Sequence, residues 1–139
     1  MRQKGSWHMK GRRMIEARVR RAATVAFCSA GYPPEAAEVF FLTEQEMRIL
    51  KFHTTGKKVR TVNVLAFESP SGFPHPEQKV FLGEIYVNGE RYATNPSRML
   101  FLVIHGFLHL IGFRHEKERD TITMRRMERK LVVCAREFL

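Results

Sequence analysis

The apolar residues of the chain recur both in helix-like periods and in short continuous runs. A period of about 3.6 residues predicts a helix over residues 14–30, which Gly31 ends. A continuous apolar run at 39–42 and a mostly apolar segment at 80–87, which contains Gly83 and Glu84, predict two strands. Thr43 and Glu46 form a capping-box pattern, which predicts a second helix directly after the first strand. We therefore expect an α+β fold in which a small mixed sheet of three or four strands packs against a buried central helix.

The predicted central helix begins at Asn95 and Pro96, because asparagine caps helix starts and proline suits the first helical position. The segment 99–111 leaves almost no polar face, and a helix that is apolar all round is buried. His105 and His109 nevertheless lie within it. Buried imidazoles need polar partners, and a metal ion can supply them.

Three histidines, His105, His109 and His115, predict a metal site. Residues four apart on a helix share one face, with Cβ atoms about 5–6 Å apart. Gly112 can take the left-handed conformation that ends a helix, so that the chain turns back and His115 completes the site. Three protein nitrogens leave the fourth zinc position open for water, as in catalytic sites. We therefore expect one zinc ion per chain.

A final amphipathic helix is predicted after the histidines. Its expected apolar stripe consists of Met124, Met127, Leu131, Cys134 and Phe138. The two cysteines, Cys28 and Cys134, lie far apart and lack CxxC spacing. They fit buried thiols in a reduced, cytoplasmic protein better than a disulfide framework.

Length and charge limit the remaining possibilities. The chain of 139 residues is long enough for one domain. Residues 1–13 are basic and contain no acid, which predicts a disordered basic arm, and 14–139 are predicted to form a single metal-dependent hydrolase domain. The net charge of +10 favours a polyanionic partner such as nucleic acid. No apolar run approaches the roughly 18 residues that a membrane span needs.

The string HGFLHLIGFRH at 105–115 resembles the HGxLHLxGxxH signature of the YbeY family, zinc-dependent endoribonucleases of ribosomal RNA maturation. NVLAF at 63–67 and LGEI at 82–85 are similar to the family's TNVLSF and LGDI strands, in the same order. The resemblance implies hydrolysis of single-stranded RNA by a metal-activated water. It also implies ribosomal RNA or ribosomal subunits as partners.

The resemblance further implies an active-site arginine in the loop before residue 63. When the two sequences are aligned on Gly56, the position of the family's arginine is occupied by Thr55 in this chain. Arg60 is therefore the candidate that takes the role of that arginine. The family motif usually has aspartate where Arg114 stands. A carboxylate partner for a histidine is therefore either missing or supplied by Glu116 or Glu118. Glu84, Glu116 and Glu118 are the candidates for a helping base.

Two alternatives stay open from the sequence. The spacing HxxxHxxGxxH is also that of metzincin zinc peptidases, but their general-base glutamate stands where this chain has Gly106. The second alternative is a non-catalytic RNA- or ribosome-binding protein in which zinc staples two helices. Such a structural site usually fills all four positions, and Cys28 or Cys134 could approach in space.

Overall fold

Four α-helices and three β-strands make up the described part of the chain. The computed structural model describes residues 2–70, 80–113 and 118–139, with side chains from residue 11 onward. The elements are α1 (Arg2–Ser29), β1 (Ala37–Leu42), α2 (Glu44–Thr55), β2 (Val64–Glu68), β3 (Gly83–Asn88), α3 (Pro96–Leu110) and α4 (Glu118–Ala135), followed by a 3-10 turn (Arg136–Phe138). The predicted α+β class is confirmed.

The sheet has three strands in the order β1-β3-β2. β1 runs parallel to β3 and β2 runs antiparallel to it, so the sheet is mixed, as predicted. Side chains alternate between the two faces of a sheet. Ile85 of β3 is fully buried on the face that the helices cover. Tyr86 lies on the other face, where its ring contacts Phe40 of β1 and Phe67 of β2.

Helix α3 is the central element, since it contacts β2 and β3 as well as α1 and α4. Phe107 of α3 stacks on Phe27 of α1, with ring centroids 4.4 Å apart. The buried residues of α3 are Met99, Leu100, Leu102, Val103, Ile104, Gly106, Phe107, Leu108 and Leu110. The prediction of a buried helix packed against the sheet is confirmed.

Local side-chain hydrogen bonds fix the starts of α2 and α3. The Thr43 hydroxyl accepts from the Glu46 backbone N–H, and the Glu46 carboxylate accepts from the Thr43 N–H, at 3.1 and 2.9 Å. The hydrogen bonds from the Thr43 backbone and side chain lower the pKa of Glu46. The Asn95 side chain accepts from the Arg98 N–H at 3.0 Å. Both predicted caps are therefore present.

The predicted apolar stripe of α4 is confirmed in part, since Met124 and Leu131 are buried and Met127 packs against the core. The buried residues of α4 are Met124, Glu128, Leu131 and Ala135. Cys134 and Phe138 of the expected stripe are exposed instead. The inward face instead includes Glu128 and Ala135, which the predicted stripe did not contain. Cys28 is exposed as well, so the prediction of two buried thiols is wrong.

Helix α1 covers Arg2–Ser29 and thus includes the stretch predicted to be a basic arm. The division into an arm at 1–13 and a domain at 14–139 stays a prediction. Although α1 has 28 residues, neither it nor any other described helix is long and apolar enough to cross a membrane.

A close approach between α3 and the sheet explains the glycine inside the buried helix. A Cβ atom at Gly106 would lie 2.9 Å from Cγ2 of Ile85 and 3.4 Å from Cγ2 of Val64. Ile85 is fully buried, and its branched side chain has little room to move. The helix can lie this near the sheet because residue 106 has no side chain.

Replacing Gly106 by alanine is expected to destabilise the protein by about 1–2 kcal/mol. Overpacking a filled core costs about 1–3 kcal/mol, and the better helix propensity of alanine returns at most about 1 kcal/mol. Urea unfolding should show a lower midpoint at an unchanged slope.

The Gly11→Ala variant in α1 is the matched control, because a Cβ atom there meets nothing within 4 Å. Its stability should stay the same or rise. Equal stability of the two alanine variants would show that the space between α3 and the sheet can hold a methyl group at residue 106.

Candidate active site

His105 and His109 lie one helical turn apart on α3, and their rings meet. The ring centroids are 4.7 Å apart, and the two Nε2 atoms are 3.1 Å apart. Both side chains are partly accessible in an otherwise buried helix. The structure thus brings together the first two residues of the predicted metal site.

A carboxylate from α4 holds the first of these rings. Oε2 of Glu128 lies 2.8 Å from Nδ1 of His105. The Glu128 side chain is 6% exposed and that of His105 is 23% exposed. Because an ionised carboxylate can only accept a hydrogen bond, the proton of the neutral imidazole lies on Nδ1. The unprotonated Nε2 of His105 is then directed at His109 and is able to bind a metal.

Gly112 ends α3 as predicted, with a left-handed φ of 105°. The Phe113 N–H donates to the Leu108 carbonyl at 3.0 Å, and the Gly112 N–H donates to the His109 carbonyl at 3.1 Å. These two hydrogen bonds form a Schellman motif, which turns the chain at the end of a helix. The turn directly precedes the segment that carries His115.

His115 and Glu116 lie outside the described residues. Within 2–70, 80–113 and 118–139 there is no group of three or more His, Cys, Asp or Glu side chains that could hold a metal. The pair of His105 and His109 is therefore the described part of the predicted site, and the ligand role of His115 stays a prediction.

The other candidate residues lie in three different places. Arg60 is exposed in the loop between α2 and β2, and its catalytic role stays a prediction. Glu118 is exposed at the start of α4. Glu84 lies on the sheet face opposite α3, where its carboxylate accepts from the Tyr86 hydroxyl at 3.1 Å. Burial, together with this hydrogen bond, raises the pKa of Tyr86.

Comparison with known proteins assigns the chain to a protein family. The family model described as Endoribonuclease YbeY matches residues 8–134, a range that includes all three histidines of the motif. The chain belongs to the YbeY family. The resemblance inferred from the sequence is confirmed, and so is the predicted enzyme class, since this family consists of endoribonucleases.

Individual members of the YbeY family show the same relationship. Endoribonuclease YbeY of Chelativorans sp. (strain BNC1) is 32% identical over 137 aligned residues, which cover 92% of this chain and 82% of the relative. Endoribonuclease YbeY of Xylella fastidiosa (strain M12) is 33% identical over 99 residues, which cover 64% of this chain and 61% of the relative.

Glu128 is the residue of this YbeY-family site that sequence reasoning missed. A signal for it was present, since position 128 lies four residues after Met124 and three before Leu131, on the apolar face of α4. A carboxylate on a buried face needs a polar partner. Its partner is His105, 23 residues away in the chain, and that pairing could not be read from local spacing.

The hydrogen bond to Glu128 predicts the tautomer of His105. In chelator-treated protein, nitrogen-15 NMR should show the proton of neutral His105 on Nδ1. A Glu128→Gln variant should keep this preference, because the amide oxygen still accepts, whereas Glu128→Ala should lose it. The exposed His53 on α2 serves as the internal reference. A wild-type His105 protonated on Nε2 would show that Glu128 does not orient the ring.

Proposed function

We propose that this protein is a zinc-dependent endoribonuclease that hydrolyses phosphodiester bonds of single-stranded RNA during ribosomal RNA maturation in the cytoplasm. The observation that carries the proposal is the paired arrangement of His105 and His109 with Glu128 behind the first ring. The membership in the YbeY family supplies the reaction class.

The geometry of the histidine pair fits a shared zinc ion. Zinc–nitrogen bonds of 2.0–2.1 Å at the tetrahedral angle place two ligand nitrogens about 3.3 Å apart. The two Nε2 atoms are 3.1 Å apart. A carboxylate on the other ring nitrogen is the usual partner of a zinc-binding histidine, because it fixes the tautomer and the ring orientation. His105, His109 and His115 would hold the ion, and when bound it supplies a water of lowered pKa as the nucleophile.

The protein's own groups have separate tasks in this proposal. Glu128 keeps the proton of His105 on Nδ1, so that Nε2 stays available. Arg60 would stabilise negative charge on the phosphoryl oxygens. The net charge of +10 attracts the RNA backbone. Unpaired RNA is the preferred substrate, since its bases can enter a cleft that a duplex cannot.

The surroundings of Gly106 argue against the alternative of a metzincin-like peptidase. That mechanism needs a glutamate at this position as general base. The Cβ direction of residue 106 points at Ile85 of the sheet, only 2.9 Å away. With the backbone of α3 in this position, a glutamate side chain at residue 106 would collide with Ile85.

The exposure of both cysteines argues against a purely structural zinc ion that only holds two helices together. Structural zinc sites fill all four positions, often with thiolates. Cys134 is exposed on α4, away from the inward face that carries Glu128 and Leu131, and Cys28 is exposed on α1. A three-histidine site with an open position agrees better with these placements.

The proposal is tested by measuring zinc content and RNA cleavage together. Wild-type protein should contain about one zinc per chain and cleave a single-stranded oligoribonucleotide. His109→Ala should lose both properties, because one of the paired nitrogens is gone. Glu128→Ala should bind zinc about 10–100-fold more weakly, because the ring of His105 is no longer held.

The His53→Ala variant is the control, since it removes an exposed imidazole on α2, outside the helices that carry His105, His109 and Glu128. It should keep the zinc and the activity of the wild type. Full zinc occupancy or undiminished cleavage in His109→Ala would overturn the proposal.

A further inference from the structure

A pocket of about 560 Å³ opens beside His105, between α3 and α4. Its lining includes Phe101, His105, Thr121, Arg125, Glu128 and Arg129. It therefore shares the first histidine and its carboxylate partner with the candidate active site. None of the roles predicted from the sequence uses its other side chains.

The charge of this pocket is positive. Arg125 and Arg129 lie four residues apart on α4, so they project from one face of the helix. Among the described residues, neither guanidinium is paired with a carboxylate. The carboxylate of Glu128 is buried and bound to His105, and it does not neutralise them. Two exposed arginines thus line the pocket together with His105.

The opposite wall, from α3, adds an aromatic ring, Phe101. The Phe101 ring lies one turn before His105, with ring centroids 6.1 Å apart. The Arg98 guanidinium lies over the Phe101 ring, 5.1 Å from its centroid. Guanidinium groups bind phosphate oxygens through paired hydrogen bonds, and aromatic faces stack on unpaired bases. The pocket combines the two kinds of contact that one nucleotide of a single strand needs.

We propose that this pocket, the Arg125–Arg129 pocket, binds a phosphodiester group of the RNA strand next to the one that is cleaved, with the adjoining base against Phe101. This inference rests on the proposed function, because it takes the histidine site as the place of cleavage. The pocket would hold the strand on one side of the cut. An acidic peptide would satisfy the two arginines but would make no use of the aromatic wall.

The test is RNA binding by a double variant, Arg125→Ala with Arg129→Ala. Binding of a fluorescent single-stranded oligoribonucleotide is measured in chelator over a range of salt concentrations. The slope of log affinity against log salt should fall in magnitude by about 0.7, the value for one lost phosphate contact on a single strand. Replacing both arginines by lysine should restore most of the slope, since the charges return.

The matched control is the double variant Arg126→Ala with Lys130→Ala. These residues have the same spacing on the same helix and are exposed, but they do not line the pocket. The loss of charge is identical, but the control should keep a slope near that of the wild type, because its two residues lie outside the pocket. Equal losses in the two double variants would overturn the inference, because binding would then follow net charge alone. Wild-type binding by the pocket variant would overturn it as well.

Two further outcomes separate the inference from the proposed function. If the wild type fails to cleave RNA but only the pocket variant loses binding, the cleavage proposal fails and the binding site stands. If polyglutamate displaces the RNA from the wild type as effectively as unlabelled RNA does, the pocket recognises acidic chains in general and the inference fails.

Discussion

The hydrogen bond between Glu128 and His105 is the constraint on which the site depends. A buried carboxylate without a partner costs several kcal/mol, so α4 can turn this face inward only where an imidazole is present to meet it. The pair therefore fixes how α4 is rotated against α3. It explains why Met124 and Leu131 are buried while Cys134 is exposed. The same contact sets the tautomer of His105, and one interaction thus links packing to chemistry.

The second constraint is the distance between α3 and the sheet. Successive residues of a helix point about 100° apart, so His105 and Gly106 contact different elements of the fold. Gly106 lets the helix lie against Ile85, and His105 meets Glu128 of α4. The histidine pair is carried on a helix that is held by the sheet on one side and by α1 and α4 on others. A rigid support of this kind keeps the two imidazole rings at a fixed separation.

The sequence predicted best what depends on neighbouring residues. The caps at Thr43 and Asn95 and the left-handed turn at Gly112 involve residues within five positions of each other, and all three are present. Predictions that depend on contacts between residues far apart in the sequence were less accurate. The inward face of α4 requires knowledge of His105, and the position of Glu84 depends on which face of β3 the helices cover. The exposure of the cysteines is likewise a result of packing, which their hydrophobic character does not determine.

An X-ray absorption spectrum of the purified protein, recorded at the zinc edge, tests most directly whether the histidines of α3 belong to an open, catalytic metal site. We predict a first shell of nitrogen and oxygen only, at about 2.0–2.2 Å, with imidazole as the main contributor. A sulfur ligand at about 2.3 Å would contradict this. It would mean that a cysteine closes the site and that the metal has a structural role.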